Sequence, residues 1–300
     1  MKTEDYPSVF AVVLNWNQPG LTIECLESLY RQEKINLQLV VVDNGSTDRS
    51  AQILRERFSG INIIENANNM GFAGGFNVGI SHALKLGVEN LFLVNNDTFA
   101  DPLMLRTLTE NMQPGVGILS PAIYYASAPD KLWSVGGMIN PLLLEIVDFH
   151  MRGLSIPAPV IERDFLPSCA WLVRREVFEK IGLLDERFFP IYYDDLDFCL
   201  RTRRAGFRIL LVRDARLWHK VAQSSGGEHK PRERYLMARN GAYYFRKNMR
   251  WWQFPFIILY RMGSTLLWTL RLLIKPDIEA LRAYLKGLLD GWLRAAPGEK

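Results

Sequence analysis

The sequence predicts an α/β protein: a mostly parallel sheet flanked by helices, followed by a helical, amphipathic carboxy-terminal extension. Short apolar runs alternate with segments of helical spacing through the first hundred residues, and glycine or Asn/Asp clusters punctuate the junctions. The last fifty residues carry four tryptophans among Arg and aliphatic side chains. With 300 residues at 48% hydrophobic composition, the chain has ample material for a core.

In order, "VFAVVLN" reads as a buried strand and "LTIECLESLYRQ" as a helix; "LQLVVVDN" is a second strand. "STDRSAQILRERF" opens with a Ser/Thr/Asp cap and continues as an amphipathic helix, and "INIIEN" is a third strand. "GGFNVGISHALKLG" is a third helix closed by glycine, and "NLFLVNND" a fourth strand. Residues 120–167 read as loops and short strands; Trp133 within them, or Trp171 just beyond, could stack on a ring-shaped ligand, although isolated aromatics usually belong to a core. "FRILLV" is a late strand, followed by a short turn to "LWH". Neither a repeat nor a low-complexity tract interrupts the chain.

Composition narrows the function classes. Three widely spaced cysteines without a Cys-x-x-Cys pair suit neither a disulfide framework nor a zinc site. Acids precede the short first apolar run, which does not fit a signal peptide, so the expected location is cytoplasmic. Residues 1–200 hold 15 basic and 25 acidic side chains, against 21 and 7 in residues 201–300, so the carboxy-terminal third should meet an anionic partner. Arg261 and Arg271 interrupt the apolar run of residues 251–275, too soon for a membrane-spanning helix. Arg246, Lys247, Arg250 and the tryptophans suit a helix lying on an anionic membrane, through residues 246–275. A helical subdomain packed on the main domain or on another subunit, as in a homo-oligomer, is the alternative. The apolar side chains interleaved with the basic ones do not suit a nucleic-acid binder.

In a parallel α/β sheet, ligands bind beyond the carboxyl ends of the strands. Three strands end in polar groups there: Asn15 and Asn17; Asp43 and Asn44; Asn95, Asn96 and Asp97. Asp43 can accept a hydrogen bond from the imide N–H of uracil or thymine, and Asp97 with Asn95 can offer oxygen to Mg2+ or Mn2+ carrying a nucleotide diphosphate. Between them, "NNMGFAGGFNVG" supplies Gly71, Gly74 and Gly75, which let backbone approach a ligand, with Asn77 close by. Further on, Asp194, Asp195 and Asp197 crowd the start of a predicted helix. The helix dipole favours ionised carboxyls there while like charges raise at least one pKa, so one of them can act as a general base. Asp197 also stands four residues before Arg201, the spacing of a helix ion pair.

The series "VVLNWN", "VVDNGSTDRS", "NNMGFAGGFNVGI", "LVNNDTFADP", "LLDERFFPIYYDDLDFCLR" and "LWH", over roughly residues 8–245, resembles the GT-A glycosyltransferases of family 2, in particular their rhamnosyltransferase-like branch. The resemblance implies a Rossmann-like GT-A domain, residues 1–245, and a membrane-associating extension, residues 246–300. It further implies a nucleoside-diphosphate sugar donor on dTDP or UDP, an inverting displacement, and a divalent cation held by Asp97, Asn95 and His219. Asn95 stands where the family's Asp-x-Asp signature begins with Asp, one negative charge fewer beside the cation. Asp195 becomes the base and Asp194 its helper. The stretch after His219 becomes a lid, with Arg239 meeting a phosphate. The acceptor becomes a glycan or lipid-linked glycan in cell-surface polysaccharide synthesis, on the inner membrane face, and rhamnose from dTDP-rhamnose the first expectation for the donor. A glycan-binding scaffold would have no need of a base. A nucleotidyltransferase would place a basic, glycine-rich loop after the first strand, where "NWNQPG" stands.

Overall fold

The computed structural model describes residues 6–147, 156–220, 231–274 and 277–293. Its first third alternates as the sequence predicts: β1 (Ser8–Asn15), α1 (Pro19–Tyr30), β2 (Asn36–Asp43), α2 (Ser50–Arg57), β3 (Ile63–Glu65), α3 (Gly71–Lys85) and β4 (Asn90–Asn95). β1 pairs in parallel with β2 and β4, and β2 with β3. Successive residues of β1 face opposite sides, so Val9, Ala11 and Val13 pack with Cys25, Leu26 and Leu29 of α1, while Phe10 and Val12 pack with Phe76 and Ile80 of α3. Both faces are covered, which explains why the strands read as unbroken apolar runs.

Two local signals play out differently from expectation. α2 starts at Ser50 behind Arg49, which has a left-handed backbone (φ 66°), and Asp48 Oδ1 accepts the Ser50 amide at 3.0 Å. α3 begins three residues before "GGFNVG", so Gly74, Gly75 and Gly79 lie inside it. A Cβ on Gly79 would stand 2.3 Å from Val12 Cγ1, and one on Gly75 2.5 Å from Leu14 Cδ1. These glycines let the helix sit tightly on β1.

The middle is more regular than expected. It comprises β5 (Thr98–Ala100), α4 (Met104–Glu110), β6 (Val116–Tyr125), β7 (Ala128–Ser134), β8 (Met138–Ile139), β9 (Ile146–Val147), β10 (Val160–Arg163), β11 (Ala170–Arg174) and α5 (Arg175–Ile181). Then come α6 (Asp194–Arg204), β12 (Arg208–His219), α7 (Pro231–Asn248), α8 (Phe254–Ile274) and α9 (Ile278–Leu293). The main sheet runs β10-β12-β6-β11-β4-β1-β2-β3. β11 lies antiparallel between β4 and β6, and β6 and β12 pair in parallel. "FRILLV" and "LWH" belong to one strand, β12, whose register against β6 shifts between Val212 and Arg216. Val212 sits opposite Pro121, which lacks an N–H, so the irregularity falls where the ladder loses a donor.

α7 spans the expected domain boundary at 245/246, and its Tyr243, Tyr244 and Phe245 join the core beneath the sheet. α9 packs on α7 through Gly287 and Gly291, where added Cβ atoms would stand 2.4 Å from the Tyr235 carbonyl and 2.3 Å from that of Arg239. Helices meeting this closely use small residues at the contact.

Candidate active site

Parallel strands deliver their carboxyl-terminal side chains to one edge, where Asn15 lies in register with Asp43 and Leu14 with Asn95. A hydrogen-bond relay organises this edge. Asn15 Nδ2 donates to Asp43 Oδ1 (2.6 Å) and Asn15 Oδ1 accepts from Thr22 Oγ1 (2.6 Å). Asn96 Nδ2 donates to the same Thr22 hydroxyl (3.0 Å). Ser46 Oγ donates to Asp43 Oδ1 (2.6 Å) and accepts the Asn17 amide (2.9 Å). Asn15 is thus buried with both ends of its amide engaged, and it positions Asp43. Thr22 and Ser46, which the sequence reading missed, complete the relay; hydroxyls at these positions carry no distinguishing spacing.

Asn44 holds the next loop. Its Nδ2 donates to the Gly71 carbonyl (3.0 Å), and its Oδ1 accepts from Asn66 Nδ2 and the Met70 amide, both at 3.1 Å. Gly71 has φ +74°, and a Cβ there would stand 2.8 Å from Phe189 Cδ2 and 2.9 Å from the Pro190 carbonyl. Gly71 and Gly74 therefore meet protein neighbours, Gly74 through Met70 Cβ at 2.9 Å. Asn77 is placed away from this edge: its amide grips the Leu184 carbonyl (2.9 Å), the Leu184 N–H (3.1 Å) and Glu186 Oε1 (2.8 Å).

A cavity of about 450 Å³ opens beside the edge. Its lining brings together Asn95, Asp97 and His219 with Asp194 and Asp195, and Trp133, Phe72, Ile146, Phe165, Ile191 and Met237 are among its apolar walls. Trp133 meets the His219 ring edge-on, with centroids 4.7 Å apart, whereas Trp171 is fully buried against Phe198.

Asp97 occupies the turn between β4 and β5, and β5 pairs with the end of β12, which brings His219 across. His219 Nε2 lies 3.2 Å from Asp97 Oδ1 without a hydrogen bond between them; Asp97 Oδ1 and His219 Nδ1 are buried and unsatisfied. Neighbouring ligands of an octahedral cation with bonds of about 2.1 Å stand about 3.0 Å apart, so this separation fits two ligands of one small cation. Among the described residues, no group of three His, Cys, Asp or Glu could hold a metal; the Asp97–His219 pair, with Asn95 lining the same cavity, is the oxygen and nitrogen set they bring together there. That suits Mg2+ or Mn2+, which commonly keep waters and substrate phosphates as remaining ligands.

The wall that carries Asp194 and Asp195 is built by strain. Tyr192 (φ 83°) and Tyr193 (φ 71°) both adopt left-handed backbone just before α6, a conformation costing about 1–3 kcal/mol per residue. Asn240 of α7 restrains them, its Nδ2 lying within 2.9–3.1 Å of the Phe188, Ile191 and Tyr192 carbonyls. The Tyr193 phenol packs where Gly241 lacks a side chain. Asp195 Oδ1 accepts the Leu196 amide (2.8 Å), and burial pushes its carboxyl up to about 6. Asp194 is buried with Oδ2 unpaired; burial first, then the charge of Asp195, holds it well above the carboxylate range. Asp197 bonds instead to Arg201 Nε (2.8 Å), Lys247 Nζ (2.8 Å) and Asn248 Nδ2 (2.9 Å), and is a structural anchor.

Arg239 lies outside the cavity lining, bonded to the Phe189 carbonyl and Asn240 Oδ1. The expected lid, residues 221–230, lies outside the described residues. No helix among the described residues is long and apolar enough to cross a membrane, as the sequence predicts.

The chain's relatives carry related chemistry in their names. It is 24% identical over 297 residues, 95% of each chain, to the dTDP-rhamnosyl transferase RfbF of Shigella flexneri. It is 26% identical over 310 residues, 94% of this chain and 98% of the other, to an N-acetylglucosaminyl-diphospho-decaprenol L-rhamnosyltransferase of Mycobacterium tuberculosis. In fold it matches the mannosyltransferase PcManGT of Pyrobaculum calidifontis, solved with GDP-Man and Mn2+, at a TM-score of 0.57 and 17% identity, over 96% of this chain and 75% of that one. The model of the family described as Glycosyl transferase family 2 matches residues 10–182, more than half of the chain, and the protein belongs to that family.

Proposed function

We propose that this glycosyltransferase moves a sugar, with inversion, from a nucleoside diphosphate to a glycan on a polyprenyl diphosphate, at the inner face of the cell membrane, during cell-surface polysaccharide synthesis. One observation carries the reading: a single cavity is lined by Asp97, His219 and Asp195 together. The proposed donor is dTDP-rhamnose, supported by the rhamnosyl transfer named in two relatives. Asp43, held by Asn15 and Ser46, is the proposed reader of the pyrimidine imide.

Asp97, His219 and Asn95 would hold Mg2+ or Mn2+, and a cation bound there supplies positive charge to the diphosphate as it leaves. Asp195 accepts the proton of the acceptor hydroxyl as its oxygen bonds to the anomeric carbon, and the bond from that carbon to the diphosphate breaks with its electron pair on the departing nucleotide. Burial and the charge of Asp195 raise the Asp194 carboxyl, which favours its neutral form beside the base. Apolar walls keep water, the competing acceptor, away from the anomeric carbon.

Membrane attachment is proposed through α8 and the turn before it. Trp251 (88% exposed), Leu259 (72%) and Leu267 (70%) present apolar surface, and the surrounding carboxy-terminal third is basic, complementary to anionic lipid.

Calorimetric titration with UDP, dTDP, GDP and ADP, with and without Mn2+, tests the donor site. The expected result is metal-dependent binding of dTDP or UDP that weakens at least tenfold in Asp97→Ala. Absence of binding by the folded wild-type protein would overturn the reading.

A further inference from the structure

α8 carries Arg261 in a largely apolar sequence, and the structure turns it inward. Its side chain is 15% exposed and meets Glu145, 25% exposed, through Nη1 and Oε1 at 3.2 Å. Among the described residues this is the hydrogen bond the guanidinium makes, one engagement for a group with five N–H donors. Its other support is the Phe245 ring, 5.2 Å from the guanidinium carbon. Glu145 in turn lines the catalytic cavity, so Arg261 stands directly behind the cavity wall.

That wall is the turn between β8 and β9, and the carboxy-terminal helical segments hold it. Gln253 Nε2 donates to the Pro141 carbonyl (2.6 Å) and the Tyr244 hydroxyl to that of Leu144 (3.3 Å). Burial raises the Glu145 carboxyl even beside Arg261, so the pair is a poor match for its surroundings. Outside, Tyr260 and Met262, on either side of Arg261, are exposed. A fixed cation thus lies between an exposed apolar helix surface and the cavity that holds the base.

We propose that Arg261 binds the phosphate of a lipid-borne acceptor and that Glu145 holds the guanidinium in place until that phosphate arrives. The inference rests on the lipid-linked acceptor proposed above. A phosphate offers paired oxygens to the planar guanidinium, a stronger contact than the single one Glu145 makes. Glu145, displaced, takes a proton from solvent at the cavity mouth. The same chemistry could be supplied by a bilayer headgroup, and the test separates the two.

Farnesyl diphosphate and farnesol serve as probes, with binding read by tryptophan fluorescence. Glu145→Gln, which removes the competing carboxylate, is expected to bind farnesyl diphosphate several-fold more tightly than wild type. Arg261→Met is expected to bind it about tenfold more weakly or worse, with Arg261→Lys between, while farnesol binding stays unchanged. The double variant Glu145→Gln/Arg261→Met leaves no unpaired charge and should keep the fold and the weak binding. Equal affinity of Glu145→Gln and wild type, or wild-type affinity in the double variant, would overturn the proposal. A loss of equal size in association of Arg261→Met with phosphatidylglycerol vesicles would assign the arginine to headgroups and overturn it as well. Failure of wild type to bind either probe would instead remove the lipid-linked acceptor itself.

Discussion

Burial raises both neighbouring carboxyls, Asp194 and Asp195; Asp194 is raised further by the charge of Asp195 and keeps Oδ2 unpaired, while Asp195 Oδ1 accepts the Leu196 amide. A base works only when ionised. With the Asp195 carboxyl at about 6, kcat/KM should rise with pH through about 6 and level off above it. Asp195→Asn should lower kcat about 10²–10⁴-fold and abolish that limb while leaving nucleotide binding intact, as checked by pH–rate profiles and calorimetry. At this scale the sequence was legible where spacing alone sets a contact: Asp197 and Arg201, one helical turn apart, meet as expected. It was illegible for Asn77, whose helix register points it at Leu184 and Glu186, more than a hundred residues away in the chain.

α3 shows what an element needs from its glycines. Gly79→Ala would press a methyl against Val12 and Val42, and the seat on β1 is too tight to yield without shifting the helix. It should lower unfolding free energy by about 1–3 kcal/mol in urea titrations, whereas Gly20→Ala, with nothing within 4 Å, should not. Alternation with helices made the first four strands readable, helped by the burial of β1, β4 and the second half of β2 on both faces. β6 was hidden by Pro121 and by the polar start of β7, and β11 by its antiparallel course, which no local pattern announces. These are tertiary pairings, and their partners lie far along the chain.

For the whole molecule, the carboxy-terminal helices brace the catalytic walls as well as presenting an apolar surface. Asn240 restrains the strained tyrosines, and Gln253, Tyr244 and Arg261 hold the turn at Glu145. Replacing Leu259 and Leu267 together by Glu should abolish sedimentation with phosphatidylglycerol vesicles without changing dTDP or UDP affinity, because neither residue touches the donor edge. Wild-type association should weaken as salt rises. The sequence suggested the surface from Arg and Trp placement, but the bracing depends on side chains meeting across a hundred residues.

The reversed course of β11 has a further consequence. It divides the sheet into one parallel block, β3-β2-β1-β4, that carries Asp43 and Asp97, and another, β6-β12, that carries His219. The two proposed cation ligands therefore belong to different blocks and are brought together where β5 joins the end of β12. A change that parts β5 from β12 should therefore separate Asp97 from His219 while leaving the relay around Asp43, which lies wholly within the first block, in place.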